Sequence, residues 1–399
     1  MNGSGRIAIV GAGLGGLTAA LALLRRGFDV QVYEQARELT EVGAGLQLSA
    51  NGTGVLFDLG LEAAVMAEAV IPQEKVIRLW DTGQAWKAFD AGSVSVDLYG
   101  FPYVTLHRHD LQRVLADAVR AARPDAIVLG ARLARLEQDQ AGVDLGFEDG
   151  RTARAELVIG ADGVHSKVRD DLFGADEPRF TGVAAWRGVI PAERLPDHLR
   201  SPLSVTWIGP GGHVVHYPLR RSELVNYVSV VERDDWRVES WSTQGTVDEC
   251  LADYAGWHGD VKTLIEATGQ PHKWALFGRE PMSRWSQGRT TLLGDACHPM
   301  LPFLAQGAAM SIEDGLVLAR CLEAYGLDHT RAFEAYEGAR KARTSKAMTG
   351  SLANMHRYHD SRLGSATDAA AYVDREWSED RVKDRYAWLF GYDARRVPI

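Results

Sequence analysis

Three patterns of apolar and polar positions alternate along the chain. Short unbroken apolar runs stand at residues 7–10 and 157–159, and a third strand is expected at 290–293, Thr-Thr-Leu-Leu. Runs of this kind predict strands buried on both faces, as in a parallel sheet. Each leads into glycine and then into a helical composition, over residues 14–26, after Gly163, and from about Met310 to Tyr325. Period-two alternation dominates residues 181–236, in VAAWRGVIP, LSVTWIG, HVVHYPL and LVNYVSVV. The same pattern marks residues 72–101, as VIRLW and then SVSVDLYG, and residues 133–145, which read as strand pairs before a turn at 148–151. Helical stretches are expected at 51–61, after Asp110 as N-cap, at 247–267 and at 330–357. Residues 360–399 are polar and aromatic, with Trp377, Trp388, Phe390 and Tyr392 expected to pack the tail back onto the body.

Residues 6–34 carry the sharpest signal. Gly11, Gly13 and Gly16 fit G-x-G-x-x-G between the first apolar run and the first helix, and Glu34 follows the second strand, 23 residues after Gly11. The first glycine permits a tight turn, the second lets backbone approach a pyrophosphate, and the third lets helix and strand pack closely. The helix start offers free N–H groups to phosphate. The acid suits a ribose hydroxyl and disfavours a 2′-phosphate, so FAD or NAD is expected there rather than NADP. Residues 41–51 place two glycines around one alanine, consistent with backbone passing close to something flat. Basic residues in the first turns after Gly163 are uphill against the helix dipole unless an anion binds. Arg108 reads equally as a phosphate contact or a solvated arginine.

Composition narrows the picture. A chain of 399 residues holds two or three domains, and 46% hydrophobic with 24% charged residues is ordinary for a globular protein. The net charge of −9 argues against a general nucleic-acid or anionic-membrane binder. Cys250, Cys297 and Cys321 are scattered, with no C-x-x-C or zinc spacing, so no metal site or disulfide framework is expected. No apolar run reaches membrane-spanning length, and residues 7–10 are too short for a signal core. These features together lead us to expect a cytoplasmic protein.

Residues 11–34, Gly160-Ala-Asp162-Gly163 and Gly294-Asp295-Ala-Cys-His-Pro299 resemble, in order and spacing, the three fingerprints of the single-component FAD-dependent aromatic hydroxylases, the group of para-hydroxybenzoate and salicylate hydroxylases. GDACHPM, AQGAAMSIEDG and WLFGYD are similar to the branch of salicylate, 3-hydroxybenzoate and 6-hydroxynicotinate monooxygenases, the 6-hydroxynicotinate 3-monooxygenases being nearest. The resemblance implies an α/β fold: a discontinuous Rossmann-type FAD-binding domain (1–71, 100–177 and 280–329), an inserted β-rich substrate domain (72–99 and 178–279), and a C-terminal helical segment (330–399). It implies that Gly11, Gly13, Leu14, Gly15, Gly16, Glu34, Gln35 and Leu133 serve the ADP half of FAD. Arg108 and Asp295 would serve the pyrophosphate and ribityl region. Asp162 with Gly163 would serve FAD and a passing nicotinamide. Gly307, Ala308 and Ala309 would face the flavin N1–C2=O edge, and residues 45–47, with Gln47, would lie along the ring. A second strand–GxGxxG–helix unit is missing, and Gly209-Pro-Gly-Gly212 reads as a turn, so NADH or NADPH would bind transiently.

The implied chemistry is reduction of FAD by the nicotinamide, capture of O2 as a C4a-hydroperoxide, and transfer of oxygen to an electron-rich aromatic acid, with or without loss of its carboxylate. Deprotonating the ring hydroxyl assists attack, so a base is expected nearby. His213 and Tyr217 share one face of HVVHYPL and His216 the other. The first two match a pocket His and Tyr of the 6-hydroxynicotinate enzymes and are the candidate catalytic residues. Two pocket histidines of those enzymes are Gln47 and Phe303 here, the latter after Pro302, which lowers acid–base capacity and points to a different ring. Rival readings are a flavin halogenase, broken at Gly188 of its W-x-W-x-I-P signature, a flavin reductase, and a non-catalytic flavin-binding protein. A monomer or homodimer is expected.

Overall fold

The structure, a computed structural model, describes residues 5–39, 45–90, 92–236, 243–326 and 328–399. Residues 41–44 of the glycine-flanked stretch lie outside them.

Ile7–Val10 is the centre of a six-stranded sheet because every one of its side chains is apolar and buried. It pairs in parallel with Leu157–Gly160 on one side and Val30–Tyr33 on the other. Thr290–Leu292 extends the sheet in parallel beyond Leu157–Gly160, and Ile127–Val128 closes the far edge. The apolar runs were thus parallel strands, brought side by side from positions far apart in the chain. Fully burying each Ile or Val contributes roughly 1.5–3 kcal/mol. The helices Leu14–Leu24 and Gly307–Tyr325 cover this sheet and cross closely: a Cβ on Gly15 would fall 3.0 Å from Ser311 Cβ.

A seven-stranded sheet runs His272–Gly278, Arg179–Pro191, Leu224–Glu232, Gly212–Leu219, Leu203–Gly209, Glu74–Leu79, Ala85–Asp90. The alternation fixes its two faces. Val205, Trp207, Val214 and Tyr227 pack against the helices Val247–Asp253 and Gly259–Thr268. Ile77, Leu79 and Ile208 on the opposite face meet Tyr372, Trp377, Tyr386 and Phe390 of the C-terminal segment. The terminal aromatics therefore do fold back onto the body.

Three expectations are corrected. SVSVDLYG is not a strand: Ser93–Tyr99 is helical, ended by Gly100 in the left-handed region (φ 79°) and tied by Ser95 Oγ donating to the Phe101 carbonyl. Its alternation has no meaning for burial, since Val96 and Leu98 are exposed. Asp110 is not an N-cap. The helix Arg108–Ala122 begins earlier, with the His107 ring accepting from His109 N–H, and Asp110 instead holds Arg220 through two hydrogen bonds of 2.7 and 2.9 Å. The basic residues after Gly163 are spent on protein: Lys167 pairs with Asp171, and buried Arg169 donates to the carbonyls of Ala296 and Val164.

Candidate active site

The three glycine-containing loops converge at one edge of the parallel sheet. Gly11 takes φ +107°, and a Cβ there would lie 2.3 Å from the Ala161 carbonyl oxygen, so the first loop presses on the second. A Cβ on Gly16 would strike the Gly11 carbonyl at 2.1 Å, which is the close helix–strand packing its position predicts. A Cβ on Gly15 would come 2.5 Å from Leu293, just before Gly294, which joins the third loop.

The groove so formed fits a dinucleotide. Leu14–Leu24 starts at Gly13 without a side-chain cap, and a Cβ on Gly13 would meet nothing within 4 Å. Gly307–Tyr325 also starts without one, because the Gln306 side chain is turned to Ser49 and Asn51. Two uncapped helix starts leave N–H donors and partial positive charge facing outward at Gly13 and at Gly307, Ala308 and Ala309. Glu34 accepts from the N–H groups of Ala12 (2.7 Å) and Ala36 (2.8 Å), one on each oxygen, which keeps lone pairs for a ribose hydroxyl. Burial raises the Asp295 carboxyl, and Arg108 lies near enough to oppose that. Asp295 Oδ1 is also 4.0 Å from where a Cβ on Gly307 would stand.

Other candidate residues also carry contacts within the protein. Asp162 accepts from Ser166 Oγ (2.5 Å) and Val168 N–H (3.0 Å), so its carboxylate builds the loop and helix start behind Gly163. Leu133 is packed in the core opposite Phe147, Leu14 is buried, and Gln35 is exposed beside Glu34.

Beside the uncapped start of Gly307–Tyr325 lies a cavity between the seven-stranded sheet and the C-terminal helices. Gln47, Lys75, Tyr103, Thr206, His213 and Phe303 line it, with Tyr386 and Phe390 on the helix side and Pro302 at its exposed rim. His213 is buried against Phe303 and Tyr358, at ring-centroid distances of 5.4 and 5.1 Å. Burial and neighbouring His359 hold it well below the usual imidazole range, so it is neutral at pH 7. Tyr217 lies on the same face, beneath Gly45, where a Cβ would come 2.7 Å from its ring. Its hydroxyl is pushed up by burial. His216 points to the other face, as alternation requires.

Lys75 went unnoticed in the sequence because a lysine in a strand normally marks a solvated face. Here it is half-buried, with Nζ 5.8 Å from the Tyr103 ring centroid and 5.9 Å from that of Phe89. Burial pulls it down to about 8, and among the described residues no carboxylate lies within 4 Å.

Also unnoticed was a buried ionic cluster behind the site. Glu313 and Asp314 receive Arg340 at 2.5 and 2.6 Å, Arg343 donates to Glu313 at 2.8 Å, and His298 pairs with Asp314 at 2.5 Å. Asn51 donates to Glu313 at 2.6 Å and to Gln306 at 3.1 Å, which fixes the start of the helix that faces the groove. Adjacent acids inside the otherwise apolar helix run, with arginines three apart on the next helix, were the legible sign.

Among the described residues no group of three His, Cys, Asp or Glu is placed to hold a metal ion, and no helix is long and apolar enough to cross a membrane. The three cysteines are buried, unpaired thiols. A 3-amino-4-hydroxybenzoate 2-monooxygenase of Streptomyces platensis is 38% identical over 396 residues, covering 99% of this chain and 98% of the relative. A 6-hydroxynicotinate 3-monooxygenase of Pseudomonas fluorescens is 37% identical over 403 residues, covering 100% and 98%. The crystal structure of Klebsiella pneumoniae HpxO complexed with FAD and uric acid superposes with a TM-score of 0.82 at 26% identity, covering 94% of this chain and 96% of that one. The FAD binding domain family matches residues 5–351. With three glycine loops meeting at one sheet edge and relatives that match over nearly all of the chain, the chain belongs to the FAD binding domain family, in its aromatic-ring monooxygenase branch.

Proposed function

We propose that this protein hydroxylates a small aromatic acid, using FAD, NAD(P)H and O2. The observation that carries the reading is Lys75: a cation with no carboxylate within 4 Å among the described residues, facing a cavity lined largely by rings, among them Tyr103, His213, Phe303, Tyr386 and Phe390. A planar ring bearing a carboxylate satisfies both features at once. The relatives named above act on a hydroxybenzoate and a hydroxynicotinate, which share that form.

Bound FAD, once reduced by NAD(P)H, supplies the activated oxygen. The chain's own residues do the rest. Gly11 to Gly16 and Glu34 would hold the ADP half, and the start of Gly307–Tyr325 would offer N–H donors and partial positive charge to the flavin. Lys75 holds the substrate carboxylate. His213, neutral and lining the cavity, takes the ring hydroxyl proton, with Tyr217 further along the same strand face as a second hydrogen-bond partner. Phe303, Tyr386 and Phe390 exclude water, so activated oxygen is spent on the ring rather than lost as peroxide. The six-stranded sheet region serves FAD and the seven-stranded sheet serves the substrate.

The test is NADH oxidation by the yellow protein with a panel of hydroxybenzoates, aminohydroxybenzoates and hydroxypyridine carboxylates, quantifying product and peroxide together. Product matching NADH for one acid, and weakened binding of that acid but not of its amide in Lys75→Met, is the expected result. Equal turnover of acid and amide would overturn it.

A further inference from the structure

Glu232 ends the strand Leu224–Glu232, and His213 is the second residue of the neighbouring strand Gly212–Leu219. The sheet register pairs Gly212 with Val231, which brings the two residues to the same end of the sheet. They do not touch. The His359 ring, just past the helix His329–Tyr358, stands between them. His213 Nδ1 lies 2.7 Å from His359 Nε2, and His359 Nδ1 lies 2.9 Å from Glu232 Oε1. The His359 side chain is 1% exposed and that of Glu232 50% exposed, so the row runs from the cavity to water.

The end residue sets the protons along the row. Glu232 is held below the usual carboxylate range, chiefly by its hydrogen bond with His359, and so is only an acceptor at pH 7. His359 Nδ1 therefore carries a proton. A His359 ring that carries only this one proton has a bare Nε2, which accepts from Nδ1–H of His213. His213 is left with a bare Nε2, which has no hydrogen-bond partner among the described residues and belongs to the ring that lines the cavity. The other titratable groups facing the row are His356, near Glu232, and Tyr358, against the His213 ring. Lys75 shares the cavity.

We infer that His359 and Glu232 are positioning residues that fix His213 as an Nε2 base and connect it to solvent. This rests on the aromatic-acid reading of the cavity. The ring hydroxyl gives its proton to His213 Nε2, the His213 Nδ1 proton passes to His359 Nε2, and the His359 Nδ1 proton passes to Glu232, which releases it to water. Each imidazole ends with one proton, and the two tautomers are exchanged. When the hydroxylated ring regains aromaticity, its tetrahedral carbon loses a proton to solvent and the original ring oxygen, left as a ketone, takes one back; return of that proton along the same row restores the starting tautomers.

The first test needs no substrate. Ring-nitrogen NMR of histidine-labelled, FAD-loaded protein at pH 7, assigned with His213→Gln and His359→Gln, should show His213 protonated at Nδ1 and bare at Nε2. In Glu232→Gln this preference should be lost, because an amide both donates and accepts. A proton on Nε2 in the unaltered protein, or an unchanged His213 tautomer in Glu232→Gln, overturns the inference. The second test uses 3-amino-4-hydroxybenzoate and 6-hydroxynicotinate as probes. Glu232→Gln should lower hydroxylation about a hundredfold and move the pH–rate profile upward, while Glu232→Asp keeps most of the rate. An unaltered pH profile in Glu232→Gln, or equal loss in Glu232→Asp, overturns it. If the unaltered protein hydroxylates no acid on a wider panel, the aromatic-acid reading fails, and the tautomer measurement still decides the row.

Discussion

The Tyr103 hydroxyl donates to Oε1 of Gln47 at 2.6 Å, and Ser204 Oγ donates to the same oxygen at 3.1 Å. With Oε1 held twice, the Gln47 amide nitrogen is left as the donor toward the cavity both residues line. Tyr103→Phe removes the shorter hold. One net hydrogen bond is about 1 kcal/mol, so acid binding should weaken about fivefold, and more of the NADH consumed should end as peroxide. Substrate titration and peroxide assay check both.

Lys75 gives acid binding a pH limb. Free, it is charged below about 8. A bound carboxylate favours the charged form and raises its pKa. Affinity should therefore be level below pH 8 and fall about tenfold per pH unit above it, until the pKa of the complex is reached. Lys75→Met should abolish that limb and weaken binding overall. Titration of the flavin spectrum with the acid from pH 6 to 10 reads both.

Arg340 is fully buried between Glu313 and Asp314. Arg340→Met leaves two buried carboxylates short of a partner and should cost about 3–5 kcal/mol, read in denaturant unfolding of the FAD-loaded protein. Burial pushes Asp314 up, but His298 and Arg340 outweigh it and hold it at about 2. Its folded pKa is below its unfolded one, so this stabilisation is complete above about pH 4 and disappears as pH falls through 2. Acid unfolding of the unaltered protein should steepen in that window, and less so in Asp314→Asn.

Glu34→Gln replaces one carboxylate oxygen by an NH2 group facing a backbone N–H of Ala12 or Ala36. Losing a charged acceptor there costs about 1.5–3 kcal/mol, which is about 10- to 150-fold in FAD affinity. The variant should purify with less flavin per protein, restored by added FAD.

The FAD groove was legible because its signal is local. Strand, glycine turn, helix and acid stand within residues 6–34, and each has its own composition. The faces of HVVHYPL were legible for the same reason, since alternation alone separates His213 from His216. The cavity was not. Lys75, Tyr103, His213 and Phe303 meet across four distant segments, and no period links them. His359 and Glu232 stand 127 residues apart and gain meaning only from a strand end and a helix end that happen to abut. The Ser93–Tyr99 error has the opposite cause: a real alternation was present, but glycines on both sides decided the backbone.

The order of strands in the six-stranded sheet has a consequence for biosynthesis. Thr290–Leu292 pairs with Leu157–Gly160, which pairs with Ile7–Val10. A nascent chain shows its nucleotide fingerprint almost at once, yet cannot finish the groove until residues 290–325 have left the ribosome. Tyr386 and Phe390, which close the cavity, follow later still. The groove and the cavity are thus completed in sequence, the groove first. A chain cut before residue 290 would carry the dinucleotide signature without the strand and helix that complete the groove.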